Sequence, residues 1–373
     1  LSVINKFSKQ SATKNSVIFL SAILIIGMVM LTVLSIRILT EDNLHLILGN
    51  DLGSSRLFLT LNTLDLIQDF PFTGGGLSAF SGLYSHYILL IPYHYSTHSH
   101  NLFLNVALEQ GLLGAFALSG ILLITVILLM LQPIEIDSLL PNWLIKGTLA
   151  ACLLAFVIHG LIDDPLYSSV GVLFLFLIPG IVISWTAPAQ QRDSWRSVDK
   201  WVTIFLGAAL VLMLLSIIFY KPLSARWQAN LGAVDMAKVE LKDWPSVEWN
   251  DGSKVIFLSS DETRFEQSLI ANPGIRTSYH GLGHIAMLRN EYDDAIPYLQ
   301  MAYNIDPHHY GIKKALGYSR VWVGDIDSAL EILDGVPEAE TELQTYVWWW
   351  ATKGREDLAD QALATLAEME NRK

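Results

Sequence analysis

Five apolar stretches crowd the first 220 residues, and few folds are open to a chain built this way. Residues 16–36 and 111–131 each run for 21 positions without a charge. Residues 143–162 are interrupted only by Lys146 and His159, and 168–186 and 201–220 are uncharged. A helix needs about 20 apolar residues to cross a bilayer. One such run fits the buried helix of a soluble protein as readily as a span; five in succession predict a polytopic membrane bundle. Charged residues are only 16% of the chain, against about 25% in ordinary soluble domains. Cys152 is the only cysteine, which excludes a disulfide scaffold. The net charge of −12 argues against nucleic acid as a partner.

The charge is unevenly placed. Residues 1–220 hold 9 Lys/Arg and 12 Asp/Glu, whereas 221–373 hold 15 and 24. An apolar part is therefore followed by an acidic, water-soluble part. The sequence starts at Leu1 rather than Met, with no signal-peptide pattern before the first apolar run, so we expect a truncated N-terminus. Basic residues are retained on the cytoplasmic side of a membrane. With the N-terminus inside, the inner segments hold Lys6, Lys9, Lys14, Lys146, Arg192, Arg196 and Lys200, and the outer ones only Arg37 and Arg56. That bias places the long loop 37–110 and the tail after Tyr220 outside the cytoplasm.

A loop of this length without a function is uncommon. Leu57, Leu61, Leu64 and Ile67 recur at helical spacing, so a helix is predicted over 57–70, stopped by Pro71. Phe72-Thr73-Gly74-Gly75-Gly76 is a turn whose backbone can approach a ligand closely. Arg56 opens the helix after Ser54-Ser55, which are capping residues. It shares the loop with six carboxylates, so an anion site in this loop would use Arg56, whose planar guanidinium suits phosphate. His94, His98 and His100 follow within seven residues. On composition alone they fit a metal site, a chance polar cluster at the membrane surface, or a single histidine acting as a base. No Cys or acidic residue lies among them.

His100-Asn101, then nine residues to Gly111 and two more to Gly114, resembles the motif of the O-antigen ligase and Wzy-type polymerase superfamily. The stretch from Ser55-Arg56-Leu57 through Asp69-Phe70-Pro71-Phe72-Thr73-Gly74-Gly75-Gly76-Leu77 to Phe80, and His159-Gly160-Leu161-Ile162-Asp163-Asp164-Pro165, are similar to segments of the same family. The resemblance covers roughly residues 10–220. It implies a membrane glycosyltransferase of the GT-C type, working without cofactor or metal. Such an enzyme transfers a glycan from a polyprenyl-diphosphate carrier to an acceptor hydroxyl outside the cytoplasm. By that carry-over His100 is the general base and Arg56 stabilises the departing diphosphate. Asn101, His98 and the glycines Gly74, Gly75 and Gly76 are substrate-binding candidates.

The tail carries a 34-residue repeat. Pro273 and Pro307, Leu282 and Leu316, Gly283 and Gly317, and Ala295 and Ala329 are each 34 apart. The unit Tyr279, Leu282, Gly283, Ala286, Ala295, Leu299, Ala302, Pro307 resembles the tetratricopeptide pattern. A second unit follows through Leu333, a weaker third has Gly354, Ala359 and Leu363, and an earlier half-unit with Phe265 in its core ends at Pro273. Residues 221–262 read as an irregular connector with a helix around 225–241. Trp348-Trp349-Trp350 cannot all face one side of a helix, so at least one is expected to be exposed.

These readings give an all-α chain: a partial GT-C-type membrane helix bundle over 1–220, a connector over 221–262, and a tetratricopeptide-like α-solenoid over 263–373. The expected setting is multi-pass in the bacterial inner membrane, with catalytic loop and repeats on the periplasmic or extracellular side. Expected partners are the carrier-linked glycan, an acceptor glycan, lipid or protein, the membrane, and a protein bound by the repeats; nucleic acid is not among them. An O-antigen ligase, a Wzy-type polymerase, a protein O-oligosaccharyltransferase, a metal-dependent membrane hydrolase and a non-catalytic repeat scaffold all stay open.

Overall fold

The computed structural model describes residues 56–90, 96–131, 142–163, 171–186, 220–242, 244 and 257–372. Thus His94 and the expected spans 16–36 and 201–220 lie outside the described residues, apart from Tyr220. Every regular element among the described residues is helical. The chain divides into two compact units, one formed by residues 1–52 and 116–190, the other by 53–115 and 191–373.

In the first unit, α3 (Leu102–Leu131) ends its course, followed by α4 (Asn142–Ile162) and α5 (Gly171–Thr186). Among the described residues, two helices, Leu102–Met130 and Leu144–Ile162, are long and apolar enough to cross a membrane. The expected fourth span is described as helix over Gly171–Thr186, and its residues 168–170 lie outside the described residues. Leu154, Ile158, Leu161, Phe176 and Ile181 stand exposed. A water-soluble unit would bury such residues, and a lipid-facing one has no need to. Lys146 turns its ammonium onto the Met130 carbonyl at 3.3 Å, satisfying an acceptor that the end of α3 leaves unpaired.

In the second unit, four helical hairpins follow one another. They are α6 (Tyr220–Glu240) with α7 (Ser259–Ala271), α8 (Arg276–Leu288) with α9 (Tyr292–Ile305), α10 (Tyr310–Trp322) with α11 (Ile326–Leu333), and α12 (Ala339–Thr352) with α13 (Glu356–Asn371). The 34-residue period is explained by packing. A side chain at Gly283 would collide with Leu299, and one at the equivalent Gly317 with Leu333, so the small residue lets the two helices of each hairpin close. Pro273 and Pro307 fall just beyond α7 and α9, where an interior helical position would cost an N–H bond.

The segment read as a connector is largely the first hairpin. Ala225 and Ala229 of α6 are buried with Ile275 and Leu269, and the Phe265 ring of α7 lies against Gly232. The sequence reading stopped short because the Leu231-Gly232 pair of α6 lies 51 residues before Leu282-Gly283 instead of 34. Of the three tryptophans, Trp350 is buried and Trp348 exposed, as helix geometry requires.

The loop belongs to this second unit. Its helices α1 (Arg56–Asp69) and α2 (Phe80–Tyr84), with a wide π-turn over Ser85–Leu89, lie on the face made by the first helices of the hairpins. Gly311 of α10 abuts the Tyr87 backbone so closely that any side chain there would collide with it. Phe58 meets Tyr310 edge-on at 4.7 Å, and the Tyr346 hydroxyl of α12 donates to the Leu90 carbonyl at 3.3 Å. A repeat face of this kind is a binding surface, and here the chain's own loop occupies it.

Candidate functional site

His100 sits in the left-handed region, at φ +54°. Glycine adopts that conformation freely; a histidine there stores strain that its surroundings must hold in place. The holding groups are local. Asn101 accepts the Phe103 and Leu104 amides on its side-chain oxygen at 3.0 and 3.1 Å, the geometry of a helix N-cap. Ser99 is buried, donating its amide to Asn105 Oδ1 at 2.9 Å and its hydroxyl to the Asn101 carbonyl at 3.0 Å. His98 and His100 meet edge to face with ring centroids 4.3 Å apart, and His98 Nδ1 is 2.7 Å from the Thr97 hydroxyl. Two imidazoles thus converge at the start of α3, His100 half-buried. For Asn101 the visible job is capping, which positions His100 on a rigid helix end.

The three glycines turn out to be a lock. Gly74, Gly75 and Gly76 donate their amides to the carbonyls of Phe70, Leu108 and Glu109 at 3.2, 2.8 and 3.1 Å. Leu112 N returns a bond to the Pro71 carbonyl at 2.9 Å. The partner element is α3 at its break, where Gly111 has φ 74° and ψ 175°. A side chain on Gly74 would strike the Glu109 backbone, and one on Gly111 the Phe72 carbonyl. Glycine is therefore needed for backbone to cross backbone. The turn read as a ligand cradle has its amides engaged inside the chain, so its close approach is to α3. The break also separates 102–110 from the apolar run that the sequence expected to begin at 111.

Arg56 is exposed as the first residue of α1, and its carbonyl accepts the Thr60 hydroxyl at 2.8 Å. Ser54 and Ser55, its expected caps, lie outside the described residues.

A buried polar network ties loop to repeats, and sequence reasoning missed it. Asp69 Oδ1 accepts from Arg276 Nη2 at 2.7 Å and from the Thr277 hydroxyl at 2.6 Å. Arg276 Nη2 also reaches the Asp65 carbonyl at 3.1 Å. Burial raises the Asp69 carboxyl above its ordinary range, with Arg276 opposing. Further along, Glu240 accepts the Tyr87 hydroxyl and lies 3.0 Å from His284 Nε2. Burial pushes Glu240 up, but the charge and hydrogen bond of His284, with help from His86 and Tyr87, win and hold it at about 2. The Phe72 amide donates to Asn230 Oδ1 at 3.1 Å, and Asn230 Nδ2 to the Thr73 hydroxyl at 2.9 Å. The signal lay in unrepeated polar residues on otherwise apolar repeat faces, such as His280 and His284 one turn apart.

Asp69, His280 and His309 bring potential metal-ligating atoms within 4.8 Å of one another. The hydrogen bonding argues against an ion there. His309 Nδ1 accepts the Ile312 amide at 3.1 Å, which leaves the ring proton on Nε2. That nitrogen, 3.9 Å from Asp69 Oδ2, has no lone pair for a metal; a ligating histidine donates from its second nitrogen instead. Burial pushes both His280 and His309 well below the ordinary histidine range, so they are neutral.

Residues 3–119 match the family model described as O-antigen ligase, and residues 286–348 that described as tetratricopeptide repeat. No curated protein and no solved structure matches the chain. The chain is thus similar to an O-antigen ligase over 3–119 and to a tetratricopeptide repeat over 286–348, in the order that the motifs implied, and the first similarity suggests a glycosyltransferase-like ligase or polymerase associated with a membrane.

Proposed function

We propose that this chain acts in a membrane glycosyltransferase that moves a glycan from a polyprenyl-diphosphate carrier to an acceptor hydroxyl outside the cytoplasm. The observation that carries the reading is the strained backbone of His100, at the motif position and inside the family match. Strain of about 1–3 kcal/mol survives where a function selects it. His100 accepts the proton of the acceptor hydroxyl as its oxygen attacks the anomeric carbon. The bond from that carbon to the diphosphate breaks, and the diphosphate leaves with the bonding pair. Arg56, exposed at the start of α1, neutralises the charge that builds there. His98 orients the His100 ring through their edge contact.

The test uses the full-length protein in reconstituted membranes with carrier-linked glycan from the same cells. His100→Ala should lower transfer about 10²–10⁴-fold, with EDTA without effect. Arg56→Lys should be nearly as damaging as Arg56→Ala, because lysine keeps the charge and loses the two-point fork. Wild-type turnover in His100→Ala, or loss of activity with EDTA, overturns the reading.

A further inference from the structure

Beside the glycine lock lies a cavity of about 610 Å³, within the range of small-molecule sites. Its walls come from α1 and the turn after it (Gln68, Phe72), from α6 (Arg226, Asn230), and from the start of α8 (Arg276, Thr277). Leu112, just past the α3 break, closes one side, and Ile305 and Asp306 another. Gln68 and Arg226 are exposed and make no hydrogen bond or ion pair among the described residues. The Arg276 side chain is only 7% exposed, and its buried Nη1 has no acceptor. A buried guanidinium donor left unmatched is costly.

We propose that this cavity binds the acceptor as a saccharide chain, holding sugar units remote from the reacting hydroxyl; the proposal rests on the glycosyltransferase reading above. Sugar rings present hydroxyl rims and apolar C–H faces together. The walls match them: amides and guanidiniums stand among Phe72, Leu112 and Ile305. A lipid tail would strand these polar groups. A strongly anionic ligand finds little net charge, because Arg276 faces Asp69 at 2.7 Å and Asp306 at 3.7 Å, which leaves Arg226. Helix Leu102–Gln110, which starts just after His100, runs for about 12 Å to the break at Gly111, and Leu112 of the cavity wall follows directly, so an occupant reaching both must be several units long. Binding far from the reacting atoms can be used to drive the chemical step.

The experiment compares intact acceptor glycan, isolated from cells lacking the full-length protein, with the same glycan trimmed from its far end. Both are offered to the reconstituted full-length protein with its carrier-linked donor. Wild type should prefer the intact acceptor at least tenfold in kcat/KM. Arg226→Ala, Gln68→Ala and the cavity-filling Ile305→Trp should each collapse that preference towards one. All three positions are exposed, so folding is little affected, and an unchanged melting temperature checks it. If the variants keep the wild-type preference while transfer proceeds, the cavity assignment fails and the glycosyltransferase reading stands. If transfer proceeds to a protein fraction and to no glycan, a peptide occupies the cavity and the saccharide is overturned. If the donor diphosphate is never cleaved with any acceptor, both readings fall.

Discussion

Replacing Arg276 by methionine should release the loop from the repeats without unfolding either. Methionine roughly keeps the length of the aliphatic stem and removes the guanidinium that bonds Asp69 at 2.7 Å and the Asp65 carbonyl at 3.1 Å. Asp69 is 5% exposed, so its carboxylate is left in a dry site with Thr277 as its remaining donor. Removing one partner of a buried pair costs about 3–5 kcal/mol. At 1.4 kcal/mol per tenfold, the opening equilibrium of the docked loop shifts by roughly a hundred-fold or more. Hydrogen exchange of the full chain in a bilayer mimic reads this directly. Amides over 56–90 should lose protection, while those of α12 and α13 keep it. The double variant Asp69→Leu/Arg276→Met should recover most of the protection, because an apolar pair leaves no unmatched charge. Unchanged protection in the single variant, or a double variant more exposed than the single, would refute the latch.

Three further outcomes are expected. Burial, opposed by Arg276, pushes the Asp65 carboxyl up to about 7. A carboxyl that binds its proton more tightly when folded stabilises docking fully below about pH 4 and loses this as pH rises through about 7. Asp65→Asn should therefore tighten docking at pH 8 by ~1–2 kcal/mol, discounted because the residue is only partly buried, and flatten the pH dependence of exchange between 4 and 7. Gly74→Ala should undo the lock with α3 and depress transfer, because its φ of +69° and the facing Glu109 backbone both reject a side chain; limited proteolysis near residue 75 should then appear. Trp350→Ala should cost about 3–5 kcal/mol of repeat stability, and Trp348→Ala within about 0.5 kcal/mol, measured by denaturant melts followed by far-UV circular dichroism.

What the sequence decided by itself is what short range and period can encode. Apolar runs over 111–131 and 143–162 emerged as long apolar helices because a backbone in lipid must satisfy its own hydrogen bonds. The helix before Pro71 and the hairpins at period 34 followed from spacing, since each position meets the same neighbour in every copy. His100 and Asn101 could be singled out as candidates because a motif is local. The docking of loop onto repeats was not, because Asp69 and Arg276 lie 207 positions apart and nothing in either residue's neighbourhood names the other. The glycine turn was visible as a turn, yet its partner was decided by the break at Gly111, which only the path of α3 reveals. The first hairpin escaped because its Leu231-Gly232 pair stands 51 residues before Leu282-Gly283, off the 34-residue period. The cavity exists only where α1, α6 and α8 meet, and a linear reading has no term for three surfaces closing around a space.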